Sequence, residues 1–220
     1  MPSENATIPA PRNIEYEWMS ITRWQTMHEE NKAVAAKGDA RLVFVGDSLT
    51  ELWRWDETWK AFAKYNAANL GIGGDKTQNL LWRLDHGEVG KLDPEAVVLL
   101  IGTNNFGHLN HSAEEVFEGT QLIVEKLLKV FPRAKLLIMG VFPCQPEADH
   151  PFRERIKRTN AMTASLSNGD RIHFLDIGER LLEPDGSISP EVMEDYLHLT
   201  PKGYRIWFEA VSPVVESWLG

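Results

Sequence analysis

Leu42-Val43-Phe44-Val45-Gly46-Asp47-Ser48-Leu49 is the stretch on which the fold turns. Its opening run is aliphatic and aromatic without polar alternation, the pattern of a strand covered on both faces, as in a parallel sheet. Runs of the same kind recur at Ala96 to Ile101, Lys135 to Val141 and Arg171 to Asp176, with a weaker one from about Tyr65 to Leu70. The segments between them fit helices, so five strands joined by right-handed crossovers are expected, in a doubly wound α/β sheet.

Helix boundaries can be read from capping chemistry. Ser112 followed by Glu115 makes a capping box, and Thr200 before Pro201 makes an N-cap with proline at the first helical position, which opens a C-terminal helix through Tyr204 to Trp218. Glu15 to Lys37 reads as a charged helix with Trp18, Ile21 and Trp24 at helical spacing and Gly38 as its stop. Residues 1–13, rich in proline, serine and asparagine, read as an extended arm without chemistry of its own. Residues 14–220 are then expected to form a single domain, a length that buries a substantial core.

Composition narrows the function classes. A formal net charge of -9 with scattered lysines and arginines offers no field for phosphates, which argues against a nucleic-acid partner. Cys144 is the only cysteine, which excludes an intramolecular disulfide and a cysteine-based metal site. No run approaches the roughly 18 apolar residues of a membrane span, and the first twenty residues lack the pattern of a signal peptide, so a cytoplasmic location is expected.

In a doubly wound sheet, ligands bind beyond the carboxyl ends of the strands where strand order reverses. The residues there are Gly46-Asp47-Ser48-Leu49, then Gly71-Ile72-Gly73-Gly74-Asp75, then Gly102-Thr103-Asn104-Asn105, and beyond the last strand Asp195-Tyr196-Leu197-His198. A serine hydroxyl becomes nucleophilic when a base accepts its proton and a third group orients that base. His198 and Asp195, three residues apart, can share one face of a helical turn and supply base and acid to Ser48. Acyl transfer also needs donors for an oxyanion, and the N–H groups of Ser48 and Gly74 with the Asn104 side-chain amide are the candidates. Leu49 and Leu197, adjoining nucleophile and base, are the candidate substrate-binding residues that would bound a small acyl pocket and favour acetyl esters.

These four blocks, together with Leu81-Trp82-Arg83-Leu84, resemble the SGNH (GDSL) hydrolase superfamily, in the branch of the intracellular platelet-activating-factor acetylhydrolases. The similarity runs from about Arg41 to Trp218. It implies a flavodoxin-like three-layer α/β/α fold, no cofactor, a small-molecule ester substrate and a homodimer. By position it makes Ser48 the nucleophile, Gly74 and Asn104 oxyanion donors, Asp195 the orienting acid and His198 the base. Asn105 stands where aspartate is common in the wider superfamily, while the acetylhydrolase branch carries asparagine.

Other readings compete. Gly71-x-Gly73 hints at a dinucleotide loop, but Lys76 takes the third glycine position. His108 and His111 are possible metal ligands that lack a third partner, so no metal is expected. Asp47 is a second candidate acid, although a hydrogen bond that fixes its own loop suits it better. Trp53 and Trp82, near the loops, are candidates to touch a substrate. A non-catalytic binding module on the same fold is the alternative to an esterase, and the alcohol half of the ester is not legible.

Overall fold

In the computed structural model, which describes residues 4–220, the apolar runs pair as one five-stranded sheet. Its strands are β1 (Leu42–Gly46), β2 (Ala68–Asn69), β3 (Ala96–Leu100), β4 (Lys135–Met139) and β5 (Ile172–Leu175), in the order β2-β1-β3-β4-β5. Every pairing is parallel. The central strands are apolar throughout because both faces are covered. Leu42, Phe44, Val98 and Leu100 point into one buried cluster, whereas Val43, Val45, Val97 and Leu99 point into another.

Seven α-helices complete the layers among the described residues: α1 (Ile21–Ala35), α2 (Ser48–Trp53), α3 (Thr77–Asp85), α4 (Thr103–Leu109), α5 (Ala113–Val130), α6 (Pro151–Ala164) and α7 (Pro201–Leu219). The first cluster takes Trp207, Val211 and Val215 of α7 and Trp53 of α2; the second takes Leu80 and Leu84 of α3 and Ile123 and Leu127 of α5. The expected caps form. Ser112 and Glu115 exchange hydrogen bonds at the start of α5, and the Thr200 hydroxyl accepts from Gly203 N–H at the start of α7. No helix of the described residues is long and apolar enough to cross a membrane.

One boundary differs from the sequence reading. The first helix starts at Ile21 rather than near Glu15, because Ser20 caps it by accepting from Arg23 N–H, and Tyr16 and Met19 close an antiparallel bridge before it. Trp18 therefore stands outside the helix. Gly38 does follow the helix end, with φ +71°.

Between β1 and β3 the connections leave in opposite directions, which opens a crevice at their carboxyl ends. Arg83 of α3, fully buried, ties that edge together. Its guanidinium donates to Asp75 Oδ2 (2.7 Å), Leu70 O (3.0 Å) and Gly46 O (3.3 Å), and it pairs with Glu88. Trp24, His28 and Asn31, at i, i+4 and i+7 on α1, finish the network: Trp24 Nε1 donates to Asp75 Oδ1 (2.7 Å), Asn31 Nδ2 donates to Glu88 Oε1 (2.8 Å) and His28 Nδ1 lies 2.7 Å from Glu88 Oε2.

Removing one partner of a buried ion pair leaves the others uncompensated, which costs about 3–5 kcal/mol. Arg83→Met is therefore expected to lose about that much in urea denaturation at neutral pH. A loss under about 1 kcal/mol would show that Asp75 and Glu88 do not depend on it.

Candidate active site

Ser48 occupies the first position of α2, immediately beyond β1. Asp47 caps that helix by accepting from Leu49 N–H (3.0 Å). Gly46 is required at the strand end, since a Cβ there would lie 2.2 Å from Leu100 O. Across the crevice, Ser48 Oγ is 3.0 Å from His198 Nε2, and His198 Nδ1 is 2.6 Å from Asp195 Oδ2. The segment carrying Asp195 and His198 is not the expected helical turn. Tyr196 takes φ +59°, and Asp195 Oδ1 accepts from Leu197 N–H (3.1 Å) and His198 N–H (2.7 Å). One carboxylate thus shapes the loop with one oxygen and meets the imidazole with the other. Burial opposes its charge, but the hydrogen bonds from the His198 ring and backbone and from Leu197 N–H hold the Asp195 carboxyl below its usual range.

Gly74, in the loop after β2, has φ +74°, and a Cβ there would meet the Trp18 ring. Asn104, in the first turn of α4, donates from Nδ2 to Asp75 O (3.0 Å). These groups open onto one pocket of about 430 Å³, lined by Ser48, Gly73, Gly74, Asn104, Leu197 and His198. A second cavity of about 350 Å³, lined by Arg153, Lys157 and Asp176 among others, lies apart from these residues.

Several candidates take other places. The Leu49 side chain is 2% exposed and belongs to the core with Trp53 and Tyr204, because α2 turns its second residue under the sheet edge; it does not line the pocket. Trp53, fully buried, stacks on Trp207 with ring centroids 4.1 Å apart, and Trp82 stacks on His86 at 3.8 Å, so neither lines the pocket. His111 is buried between Asn105 Nδ2 (3.1 Å) and Glu4 O (2.7 Å), whereas His108 lies against Tyr16 and lines the pocket. Among the described residues no three histidine, cysteine or acidic side chains stand close enough to share a metal ion.

The remaining walls come from residues that the sequence reading did not single out: Trp18, Met19, Glu51, Leu52 and His108 as a wall rather than a ligand. Glu51 and Leu52 were within reach of it, since they follow Ser48 by three and four residues on one short helix. Glu51 Oε2 accepts from Gly73 N–H at 2.6 Å. Trp18 and Met19 carry no periodic signal that could link them to a pocket. They belong to an N-terminal stretch that packs along the loop after β2: Ala10 N–H donates to Gln78 O (3.1 Å), Thr77 Oγ1 donates to Ala6 O (2.9 Å) and Glu4 pairs with Lys76 (3.0 Å). The arm, expected to stand clear of the chemistry, thus lies against the loop that bears Gly74.

Asp47 itself is fully buried without a cation at hydrogen-bond distance. Burial pushes its carboxyl up to about 7, with the nearby Asp75 charge adding to the shift and the Leu49 N–H bond opposing it. A raised pKa means that stability is intact below the unfolded value, about 3.9, and is lost as pH climbs toward the folded one. Asp47→Asn is therefore expected to gain on the wild type between about pH 4 and 7, by up to about 1.4 kcal/mol per pH unit, with a constant gap above pH 7. Thermal melts across that range check it, and a gap that closes as pH rises would contradict a neutral buried Asp47.

Comparison with known proteins gives the family. A family model described as "GDSL-like Lipase/Acylhydrolase family" matches residues 44–206. The alpha1 subunit of platelet-activating factor acetylhydrolase IB from Bos taurus is 39% identical over 184 residues, covering 83% of this chain and 78% of that one. The alpha2 subunit from Rattus norvegicus is 36% identical over the same length, 83% of this chain and 79% of its own. In fold, the crystal structure of a GDSL-like lipase from Bacteroides thetaiotaomicron superposes with a TM-score of 0.72 at 24% identity, covering 89% of this chain and 98% of that one. A family match over most of the chain, and relatives well above 30% identity over most of both lengths, make this protein a carboxylic ester hydrolase that belongs to the GDSL-like lipase/acylhydrolase family.

Proposed function

We propose that the chain hydrolyses short acyl esters, acetyl foremost, through Ser48, His198 and Asp195. The observation that carries this reading is the unbroken contact from Ser48 Oγ to His198 Nε2 (3.0 Å) and from His198 Nδ1 to Asp195 Oδ2 (2.6 Å), set at the mouth of a pocket that also holds Gly74 and Asn104. Ser48 Oγ attacks the ester carbonyl as its proton passes to His198 Nε2. Asp195 holds the imidazole in the tautomer with the proton on Nδ1 and offsets the imidazolium charge. The oxyanion accepts from Ser48 N–H, Gly74 N–H and Asn104 Nδ2. Collapse expels the alcohol, which takes the proton from His198. Water, deprotonated by the same imidazole, then releases the acid and restores the serine.

The preference for acetyl rests on the relatives named as acetylhydrolases and on Leu197, which stands on the pocket wall next to the base. With Leu49 in the core, Leu197 alone of the two leucines bounds the acyl group. The same relatives are named as subunits, and a homodimer belongs to this proposal.

Ser48→Ala is expected to lower kcat by about 10³-fold or more without changing the melting temperature, and to abolish labelling by a fluorophosphonate. Retention of a tenth of wild-type turnover would end the assignment.

Acyl specificity is read from kcat/KM on p-nitrophenyl acetate, butyrate and octanoate below micelle formation. A groove for long chains would gain about 0.8 kcal/mol per buried methylene. The expected trend is the reverse, with acetate best and with Leu197→Ala improving butyrate relative to acetate. Octanoate at or above acetate in the wild type would overturn the small acyl pocket.

A further inference from the structure

Arg12 lies on the N-terminal arm, outside the segment matched by the family model, yet it is 5% exposed. Its Nη2 donates to Gly73 O at 2.6 Å and stands 3.7 Å from Asp75 Oδ1. The guanidinium carbon is 5.5 Å from the centre of the Tyr16 ring and 5.8 Å from that of Trp18, two rings that stack on each other with centroids 4.9 Å apart, so the cation lies against an aromatic pair. Nη1 has no hydrogen-bond partner among the described residues. Burying a guanidinium for a single short bond and one longer ion contact is costly, and Asp75 already has Arg83 and Trp24 as partners. The pull of Asp75, at 3.7 Å, draws Arg12 to this edge but does not account for how its guanidinium is placed.

The bond to Gly73 O does. The carbonyl of Gly73 and the N–H of Gly74 are two ends of one planar peptide unit, so fixing the oxygen fixes the direction in which the N–H points. A cation on the oxygen also draws electron density from the amide and makes its N–H a stronger donor. That N–H has no acceptor among the described residues, as a donor reserved for a substrate oxygen requires. The flanking groups are pinned as well: Gly73 N–H on Glu51 Oε2 (2.6 Å) and Asp75 O on Asn104 Nδ2 (3.0 Å). Arg12 completes the set from a part of the chain that carries no catalytic group.

We infer that Arg12 is a positioning residue for the oxyanion hole, orienting and polarising the Gly73–Gly74 peptide so that the Gly74 N–H receives the negative charge of the tetrahedral intermediate. The inference rests on the serine-esterase reading. It makes docking of the N-terminal arm a condition for full turnover.

The test compares wild type, Arg12→Met and Arg12→Lys in the full chain, with kcat expressed per site titrated to completion by a fluorophosphonate, and includes Ser48→Ala, which titrates no site, with its turnover expressed per chain. A whole oxyanion donor is worth about 10²- to 10³-fold in kcat, so a misdirected one in Arg12→Met is expected to cost about 10- to 100-fold, with KM within about threefold. Inhibition by methaneboronic acid, which forms a tetrahedral adduct on Ser48, is expected to weaken by about the same factor, whereas inhibition by the planar product acetate changes less than about threefold. A purely structural role would reduce the number of titratable sites, or weaken both inhibitors alike. Arg12→Lys, which keeps a cation beside Asp75 but loses the planar fork, is expected between the two and carries the test if Arg12→Met does not fold. Turnover that persists in Ser48→Ala would overturn the serine reading and this inference with it. Ser48-dependent turnover at wild-type kcat per site in the folded Arg12 variants, or parallel loss of boronate and acetate, would overturn this inference alone.

Discussion

The buried guanidinium of Arg83 is the constraint on which the working edge of the sheet depends. It reaches the carbonyl at the end of β1, the carbonyl just past β2 and the carboxylate of Asp75 in the following loop, and pairs with Glu88 beyond α3. A parallel sheet leaves backbone oxygens unsatisfied at its carboxyl edge, and an apolar plug there could not bond them. A planar cation with five donors can, and Asp75 and Glu88 are its anionic partners. Its placement brings α1 into the same arrangement through Trp24, His28 and Asn31. The network thus sets the height of the Gly73–Gly74 loop above the strand that delivers Ser48.

Above this base, the groups that face the pocket are held by partners that, Glu51 apart, do not line it. Asp47 ties the turn at Ser48 to Leu49 N–H, and Glu51 reaches from α2 to the neighbouring glycine loop. Asn104 is fixed on Asp75 O, and Asp195 builds its own loop before it meets His198. Donors aimed in advance need no rearrangement when charge develops, which is where this kind of site gains its rate. The exposed exception is the pair at the end of the chain: the Asp195 side chain is 55% exposed, so its geometry rests on the loop hydrogen bonds more than on packing.

What could be read from the residues follows the physics that each reading used. The strands were legible because burial on both faces suppresses alternation, and α5 and α7 because a cap is a local hydrogen bond between near neighbours. Ser48, Gly74, Asn104 and His198 could be grouped because strand ends converge in this fold, a rule of topology rather than of sequence distance. Leu49 is not where its sequence neighbour suggests, because the first turn of α2 sends adjacent side chains in different directions. The spacing of three between Asp195 and His198 suits a helix, yet an Asp-centred turn satisfies it equally. Arg12 and Met19 leave no mark in the sequence and Trp18 reads only as part of a helix, because an irregular segment docks through side chains specific to the surface it meets.

The proposed nucleophile and its base are 150 positions apart in the chain, with the arm at one end and α7 at the other. During synthesis the serine leaves the ribosome long before the imidazole exists, and a hydroxyl without a base is inert. An incomplete or truncated chain would therefore carry no reactive serine, and nascent copies cannot acylate themselves or their neighbours. Reactivity toward an active-site label therefore reports that the last part of the chain has closed on the sheet, so the chemistry doubles as a record of completed synthesis.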